Sequence, residues 1–185
     1  MQSNINDKLI LRQLRSGDQK AFRALFDQYY KYLVVTVYNV LGDGEKAKDI
    51  AHDVFLQVWK KREHLDIQAS FRPYLRQAAI NKTLNYIKSQ RFDFTEPEDF
   101  PVQESPEAGA QELLEGQDLQ ELINATIEQL PKKCQQIFIL CRLEHMSHKE
   151  IAAKLGISTK TVENQMTKAL KILRNAVAPY VKGEI

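Results

Sequence analysis

The apolar residues of the N-terminal half recur every three or four positions, which is the period of amphipathic helices. A first short helix is predicted with Asp7 as its N-cap and with Leu9, Ile10 and Leu14 on its apolar face, ending at Ser16-Gly17. Asp18 is placed to cap a second, longer helix, which Gly42-Asp43-Gly44 interrupts. The apolar stripe of this second helix comprises Phe22, Leu25, Phe26, Tyr29, Leu33, Val37 and Leu41.

Two further helices are predicted in the same half. One runs from about Glu45 to Arg62, and the other begins near Phe71, where Pro73 is tolerated in the first turn. The core-facing residues of the latter are Leu75, Ala79, Leu84 and Ile87. The run from Val34 to Val37 has strand propensity, but it lies inside a much longer helical period. Since no alternating strand pattern occurs anywhere, the predicted class is all-α.

The stretch from Ser147 to Leu173 is typical of a helix-turn-helix. Ser147 and Glu150 have the spacing of a capping box, and Gly156 stands where a left-handed C-cap requires glycine. Ser158 is then a suitable N-cap for a second helix. Its inward residues are Val162, Met166, Ala169 and Leu173, and its outward residues are Lys160, Asn164, Lys168 and Lys171. Amides suit base edges and cations suit phosphates, so DNA is the first candidate partner. The simpler alternative is a helical hairpin with a solvated basic face.

Composition narrows the class of protein further. With 27% charged and 43% hydrophobic residues, the chain is typical of a soluble globular protein of one or two domains. No apolar run approaches the roughly 20 residues of a membrane helix, and no apolar signal segment is present, so a cytoplasmic location is expected. Cys134 and Cys141 would lie about 10 Å apart on a helix, too far for a disulfide, and are predicted to be buried thiols. No zinc-ligand spacing occurs, and neither a metal nor a cofactor is expected.

Charge divides the chain into three blocks. Residues 1–91 carry 16 Lys and Arg against 9 Asp and Glu, residues 92–131 carry 11 acidic and no basic residues, and residues 132–185 carry 10 basic and 4 acidic ones. Prolines and glycines punctuate residues 93–116, which are therefore predicted to be a flexible acidic linker. The expected organisation is two small helical domains, 1–92 and 117–185, joined by this linker. An alternative role for the linker is to cover a basic surface of the free protein.

The predicted helix after Phe71 combines cations with rings and amides. The cations are Arg72, Arg76, Lys82, Lys88 and Arg91, and they are interleaved with Tyr74, Tyr86, Asn81 and Asn85. Such a mixture suits unpaired nucleic acid, because phosphates meet charge, bases stack on rings and amides reach base edges. The alternative is a solvated basic helix whose tyrosines belong to the core.

Taken in order, these motifs resemble those of bacterial RNA polymerase sigma factors of the extracytoplasmic-function (ECF) group. The resemblance is carried by DIAHDVFLQVW, then FRPYLRQAAINKTLNYIKSQR, then the helix-turn-helix, and it covers nearly the whole chain except the linker. It implies a promoter-specificity subunit that is not an enzyme and that binds core RNA polymerase and promoter DNA. It also implies an anti-sigma factor, often membrane-anchored, as a partner, without membrane insertion of this chain.

The resemblance assigns roles to particular residues. Residues 1–92 correspond to sigma region 2 and residues 117–185 to region 4. The residues implied to bind polymerase are Asp49, His52, Asp53 and Leu56. Those implied to read and melt the −10 element are Arg72, Tyr74, Arg76, Asn81, Lys82, Asn85 and Lys88, with the loop from His64 to Ser70 capturing a flipped base. Those implied to read the −35 element are Ser158, Thr159, Lys160, Thr161, Asn164 and Lys168.

The chain departs from the family pattern at four of these positions or their neighbours. Sigma factors of this group usually have Gln and Glu at His52 and Asp53, often Trp at Tyr74, and often Arg at Ile80. Asp53 keeps the charge and Tyr74 can still stack, whereas Ile80 is expected to remove one phosphate contact. Without the resemblance, His52 would be interpreted as part of a solvated helix face.

Two other classes of protein remain open from the sequence. A regulator of the response-regulator type would share the helix-turn-helix, but the N-terminal half lacks the alternating strands and helices of a receiver domain. The second class is a decoy that binds polymerase without opening DNA. Only the cations, rings and amides of residues 71–91 argue against this class. An enzyme is least compatible, because there is no phosphate-binding glycine loop, nucleophile elbow or metal cluster in the sequence.

Overall fold

The computed structural model of the protein describes residues 3–67, 70–90 and 117–181. These ranges contain eight α-helices, one 3-10 turn and no strand, which confirms the all-α class. None of the helices in them is long and apolar enough to cross a membrane. Contacts divide the chain into two units, residues 1–90 and 91–185. The predicted linker, residues 93–116, lies outside the described residues.

The N-terminal unit consists of α1 (Ser3–Arg15), α2 (Gln19–Leu41), α3 (Gly44–Lys60), a 3-10 turn (Arg62–His64) and α4 (Phe71–Ser89). Helices α2, α3 and α4 pack against one another in pairs, and α1 packs on α2 and on the 3-10 turn. The centre of this packing is fully buried and includes Leu25, Leu33, Val54, Phe55, Leu75 and Leu84. Three mutually packed amphipathic helices therefore leave one exposed face on each of α3 and α4.

Local capping explains where α2 and α3 begin and end. The Asp18 carboxylate accepts the backbone N–H of Lys20 at 2.7 Å, and Asp43 accepts that of Lys46 at 3.0 Å. Gly42 ends α2 in the left-handed region at φ 66°, where a side chain would be strained. These three features confirm the predicted start of α2 and the predicted break between α2 and α3, whereas α3 ends at Lys60, two residues before the predicted Arg62. The β-branched run of α2 is helical as predicted, and the Thr36 hydroxyl within it donates to the Tyr32 carbonyl at 2.9 Å.

The prediction that Asp7 caps the first helix is wrong. Helix α1 begins at Ser3, so Asp7 lies inside it, and its side chain is only 5% exposed. Its carboxylate instead accepts the backbone N–H of Phe71 at 3.1 Å, at the start of α4. Ser70, the residue before α4, makes no side-chain capping bond, so Asp7 supplies the negative charge and the acceptor that this helix start lacks. A tertiary contact has taken the place of a local cap.

The C-terminal unit consists of α5 (Gln117–Gln129), α6 (Lys132–Arg142), α7 (His148–Leu155) and α8 (Thr159–Val181). Helix α8 packs against the other three, and Pro131 separates α5 from α6. The core combines residues from α6, α7 and α8, among them Ile137, Leu140, Ile151, Val162 and Ala169.

Both cysteines of α6 are free thiols, but they differ in burial. Cys134 is fully buried, and its thiol donates to the amide oxygen of Gln165 on α8 at 2.8 Å. Cys141 is only partly buried, so the prediction of a buried thiol is wrong for this residue. Its partial burial still raises the pKa of the Cys141 thiol above the ordinary value.

Candidate protein and nucleic-acid interfaces

The exposed face of α3 brings together the four residues predicted to bind polymerase. Asp49, His52, Asp53 and Leu56 are all exposed, since the opposite side of the helix is buried in the core. Their spacing of three, four and seven residues aligns them along one edge of the helix. Leu56 is 53% exposed, which places an apolar side chain beside the two carboxylates. The face therefore offers both charge and apolar area to a partner protein.

His52 is held in place by aromatic residues of α2. Its ring lies 4.9 Å from that of Tyr30 and 6.0 Å from that of Phe26, measured between centroids, and Phe26 stacks on Tyr30 at 4.7 Å. The imidazole is thus exposed at its edge but supported on one side. Phe26 belongs to the predicted apolar stripe of α2 but Tyr30 does not, and nothing in the sequence indicates that either residue lies beneath His52.

Six of the seven residues predicted on α4 fall into two groups around the helix. At about 100° per residue, Tyr74, Asn81, Asn85 and Lys88 lie within about 60° of one another. Arg72 and Arg76 point to the other side, and the Arg72 guanidinium lies 4.7 Å from the centre of the Tyr32 ring of α2. Only the first group thus forms a continuous row of ring, amides and cation.

The tyrosines of α4 are half-buried, so neither belongs fully to the core. Burial raises the pKa of the Tyr74 hydroxyl, which remains neutral at physiological pH. Ile80, by contrast, is 2% exposed and packs in the core. The expectation that Ile80 removes a phosphate contact is therefore wrong, because this position faces inward and a cation here would be buried.

Lys82, the remaining predicted residue of α4, is turned towards α3. Its ammonium pairs with the Asp53 carboxylate at 3.2 Å, and both side chains are partly exposed. A second pair joins Lys46 to Asp49 at 3.1 Å within α3, and this carboxylate raises the pKa of the Lys46 ammonium. Lys46 also lies 5.2 Å from the centre of the Tyr86 ring.

Together these side chains border a groove between α3 and α4 of about 520 Å³. The α3–α4 groove is lined by Lys46, Asp49, Ile50, His52, Asp53, Lys82, Asn85 and Tyr86. It joins the predicted polymerase face to the predicted DNA row. The sequence singled out most of these residues but not Lys46, whose spacing to Asp49 is an ordinary helical ion pair. Contact between α3 and α4 is long-range, and no local signal indicates it.

The loop before α4 is described in part. Residues 62–64 form the 3-10 turn. The Leu65 carbonyl accepts hydrogen bonds from both Nε and Nη2 of Arg15, a residue of α1. Gln68 and Ala69, in the segment predicted to capture a flipped base, lie outside the described residues. The described part of this loop is thus anchored to α1 just before the segment in question.

The helix-turn-helix has the predicted caps. The Ser147 N–H donates to the Glu150 carboxylate at 2.8 Å, and the Glu150 N–H donates to the Ser147 hydroxyl at 3.3 Å, which completes the capping box. The bond from the Ser147 backbone lowers the pKa of Glu150 below the ordinary value. Gly156 ends α7 at φ 74°, and Ser158 accepts the Thr161 N–H at 2.9 Å at the start of α8.

The outward face of α8 gathers most of the residues predicted to read DNA. Lys160, Thr161, Asn164 and Lys168 lie within about 100° of one another on the helix. Asn164 is exposed, whereas Lys160 pairs with Glu163 at 3.7 Å. The hydroxyls of Ser158 and Thr161 lie 2.9 Å apart and serve the cap, so the start of α8 is held in a fixed conformation. Thr159 occupies the first turn but faces another side.

Two family models match the chain in the same order as these two sets of residues. The model of sigma-70 region 2 matches residues 25–92, and that of sigma-70 region 4 matches residues 120–173. The first match contains the exposed faces of α3 and α4, and the second contains the helix-turn-helix.

Relatives of known function match over almost their whole length. The ECF RNA polymerase sigma-E factor of Escherichia coli strain K12 is 24% identical over 98% of this chain and 100% of its own. The ECF RNA polymerase sigma factor SigW of Bacillus subtilis strain 168 is 25% identical over 89% of this chain and 92% of its own. Among solved structures, the sigma factor RpoE bound to the anti-sigma factor NepR from Bartonella quintana is 17% identical, with a TM-score of 0.43 over 86% of this chain and 98% of that chain.

Proposed function

The chain belongs to the extracytoplasmic-function group of the sigma-70 factors, and from this membership we propose how its residues direct transcription initiation. It is an alternative sigma factor, a non-enzymatic subunit that gives core RNA polymerase its promoter specificity. The observation that carries this function is the ordered occurrence of region 2 and region 4 in one chain. The phosphodiester chemistry belongs to the polymerase.

The α3 face, comprising Asp49, His52, Asp53 and Leu56, is proposed to bind core RNA polymerase. The carboxylates offer acceptors for basic residues of the partner, and Leu56 contributes apolar area that is lost from water on binding. His52 replaces the glutamine usual in the group and presents a supported ring edge in place of an amide. The His52 ring can form either a hydrogen bond or a stacking contact with a side chain of the polymerase.

The row on α4 is proposed to bind the nontemplate strand of the −10 element. Tyr74 offers a ring for stacking, Asn81 and Asn85 offer amides for base edges, and Lys88 offers a charge for phosphate. Opening duplex DNA costs a few kcal/mol, which binding of the unpaired strand offsets. Arg72 and Arg76, on the other side of the helix, are proposed to contact the backbone of the flanking duplex.

Helix α8 is proposed to enter the major groove at the −35 element. Its first turns carry Thr159, Lys160, Thr161 and Asn164, and Lys168 lies one turn further on. Hydroxyls and an amide near the helix start suit base edges, and the lysines suit phosphates. The Ser158 hydroxyl accepts the Thr161 N–H and so positions this end of the helix.

The remaining proposals concern organisation and partners. Residues 1–92 and 117–185 are proposed as the two functional domains, and residues 93–116 as an acidic tether between them. A cytoplasmic location is proposed, because the proposed function requires binding to core RNA polymerase and promoter DNA. An anti-sigma factor that covers these same faces is proposed as the negative regulator, in keeping with the family.

Run-off transcription tests the proposed function. Matched core polymerase is assayed on sheared genomic DNA from the source organism with and without this protein. Discrete new start sites that share two upstream elements are the expected result. If the protein is retained on polymerase but no new start appears, it is a decoy. If it binds DNA but not polymerase, it is an ordinary helix-turn-helix regulator.

A further inference from the structure

Helix α1 bonds to both ends of the loop that connects the 3-10 turn to α4. At the start of the loop, the Leu65 carbonyl accepts two hydrogen bonds from the Arg15 guanidinium, the one from Nε at 3.2 Å. At its end, the Phe71 N–H donates to the Asp7 carboxylate at 3.1 Å. Leu65 and Phe71 are themselves buried. One helix therefore fixes both ends of this loop.

We propose that Asp7 and Arg15 are positioning residues for promoter recognition, which hold the loop in the geometry that captures a flipped base of the nontemplate strand. The inference rests on the proposed function and on the base-capture role that the resemblance implies for the loop from His64 to Ser70. In this role neither residue touches DNA, since each acts through the backbone group that it binds. Helix α1, which carries none of the predicted DNA contacts, thus takes part in reading the −10 element.

The separation of the two anchors is set by α1 and not by the loop. Asp7 and Arg15 are eight residues apart, which corresponds to about 12 Å along a helix axis at 1.5 Å per residue. A chain of six residues, the distance from Leu65 to Phe71, can span about 20 Å when fully extended. Many end-to-end separations are therefore open to such a chain, and the two bonds select one. A loop with fixed ends loses fewer conformations when it binds a base, so its ordering costs less free energy.

Both anchors are supported by the packing around them. Asp7 is 5% exposed, so its carboxylate is shielded from water, and Ser70 makes no capping bond that could replace it. At the other end, α1 packs on the 3-10 turn that precedes Leu65. Gly17, which follows α1, lies so close to this turn that a Cβ there would come within 3.9 Å of Arg62 Nε. The position of α1 therefore determines the position of both loop ends.

The test is a scan of abasic sites in single-stranded DNA. Fluorescein-labelled oligonucleotides carry the nontemplate strand of a −10 element found by run-off transcription, and each lacks one base. Fluorescence anisotropy measures their affinity for holoenzyme, and removal of the captured base is expected to cost the wild type the most affinity. Arg15→Ala and Asp7→Ala are each expected to reduce that cost by about twofold to tenfold, the range for one hydrogen bond, with the costs at other positions unchanged.

Arg12→Ala is the matched control for Arg15→Ala. It removes the same charge from an exposed position of the same helix, about one turn earlier, and is expected to keep the wild-type pattern. Equal behaviour of the two variants would overturn the proposal. An equal loss of affinity for every oligonucleotide would also overturn it, because a merely destabilised fold weakens all binding alike.

Asp7→Asn tests the bond at the other end of the loop. Its side-chain oxygen can still accept the Phe71 N–H, so this variant is expected to restore most of the selectivity that Asp7→Ala loses. Failure to restore it would overturn the role of the Phe71 bond.

The outcomes separate this inference from the proposed function. If run-off transcription gives no start site, the sigma-factor function fails and the inference fails with it. If no single base matters more than the others in the wild-type scan, base capture fails and the anchoring role is overturned. A wild-type pattern that persists in both Arg15→Ala and Asp7→Ala would overturn the anchoring role alone and leave promoter recognition and base capture intact.

Discussion

Asn164 and Lys168 lie one turn apart on the outward face of α8, and their substitutions are expected to change DNA binding in different ways. Asn164→Ala should cost about 1–3 kcal/mol of promoter affinity if its amide makes a bidentate base contact. Lys168→Ala should weaken binding to all sequences and reduce the salt slope by about 1. Band-shift titrations over a range of salt distinguish the two effects. The same loss of slope in both variants would contradict the assignment of base and phosphate contacts.

Asp7 is expected to stabilise the N-terminal unit through its bond to α4. Asp7→Ala leaves the Phe71 N–H buried without its partner, and should lower the free energy of unfolding by about 1–3 kcal/mol. Urea denaturation followed by Trp59 fluorescence reports on this unit, since Trp59 is the single tryptophan of the chain.

The exposed Asp27 provides a comparison for Asp7. Asp27→Ala removes the same side chain from a solvated surface and is expected to change stability by less than about 0.5 kcal/mol. A similar small change for Asp7→Ala would show that water replaces the carboxylate at the start of α4.

Residues with local partners could be predicted from the sequence, and residues with distant partners could not. Asp18, Ser147 and Ser158 bond to backbone groups two or three positions away, so their spacing alone indicates the cap. The partner of Asp7 lies 64 residues along the chain. No periodicity carries information about a contact of that range.

At the scale of elements, the helix-turn-helix depends on its capping box. Ser147→Ala is expected to cost about 1 kcal/mol of C-terminal stability. The Glu150 part of the box also makes this element sensitive to acid. Because the folded pKa of Glu150 is lowered from the ordinary 4.5, its contribution is present above pH 4.5 and is lost as pH falls through the folded pKa.

The comparison of wild type with Glu150→Gln measures this contribution. The wild type should be the more stable protein at neutral pH, and the difference should vanish in acid as Glu150 becomes protonated. Urea unfolding followed by the NMR amide signals of α7 gives the stability at each pH. A difference that is independent of pH would show that the charge of Glu150 contributes nothing to the box.

The periodicity of apolar residues predicted every helix of the N-terminal unit but not the surfaces of α4. Its buried positions, which include Ile80 and Thr83 as well as the predicted four, cover most of the helix circumference. A family-based expectation at Ile80 therefore mistook a core position for a surface one. The packing of α3 against α4, which pairs Lys82 with Asp53, is a tertiary contact and could not be predicted from any single stretch of the sequence.

At the scale of the whole molecule, each unit carries its own proposed DNA contacts and the segment between them is proposed to act as a tether. Doubling the length of this segment, residues 93–116, with glycine and serine should reduce promoter affinity by only about 0.6 kcal/mol, because closure entropy grows slowly with length.

Deletion of residues 93–116 is expected, in contrast, to cause a large loss of promoter affinity. The two units could then no longer engage both promoter elements together, and affinity should fall towards that of one unit. Filter binding to a promoter with both elements, and to one with the −35 element scrambled, measures the difference. A loss on insertion as large as that on deletion would mean that the segment has a specific structure or partner.

The bond between Asp7 and Phe71 also orders events during synthesis. At about 5–20 residues per second, Phe71 is made roughly 3 to 13 seconds after Asp7, given the 64 residues between them. During that interval the buried carboxylate of α1 has no helix start to bind. The bond between α1 and the start of α4 can therefore form only after Phe71 has left the ribosome, so the packing of the N-terminal unit is completed late in its synthesis.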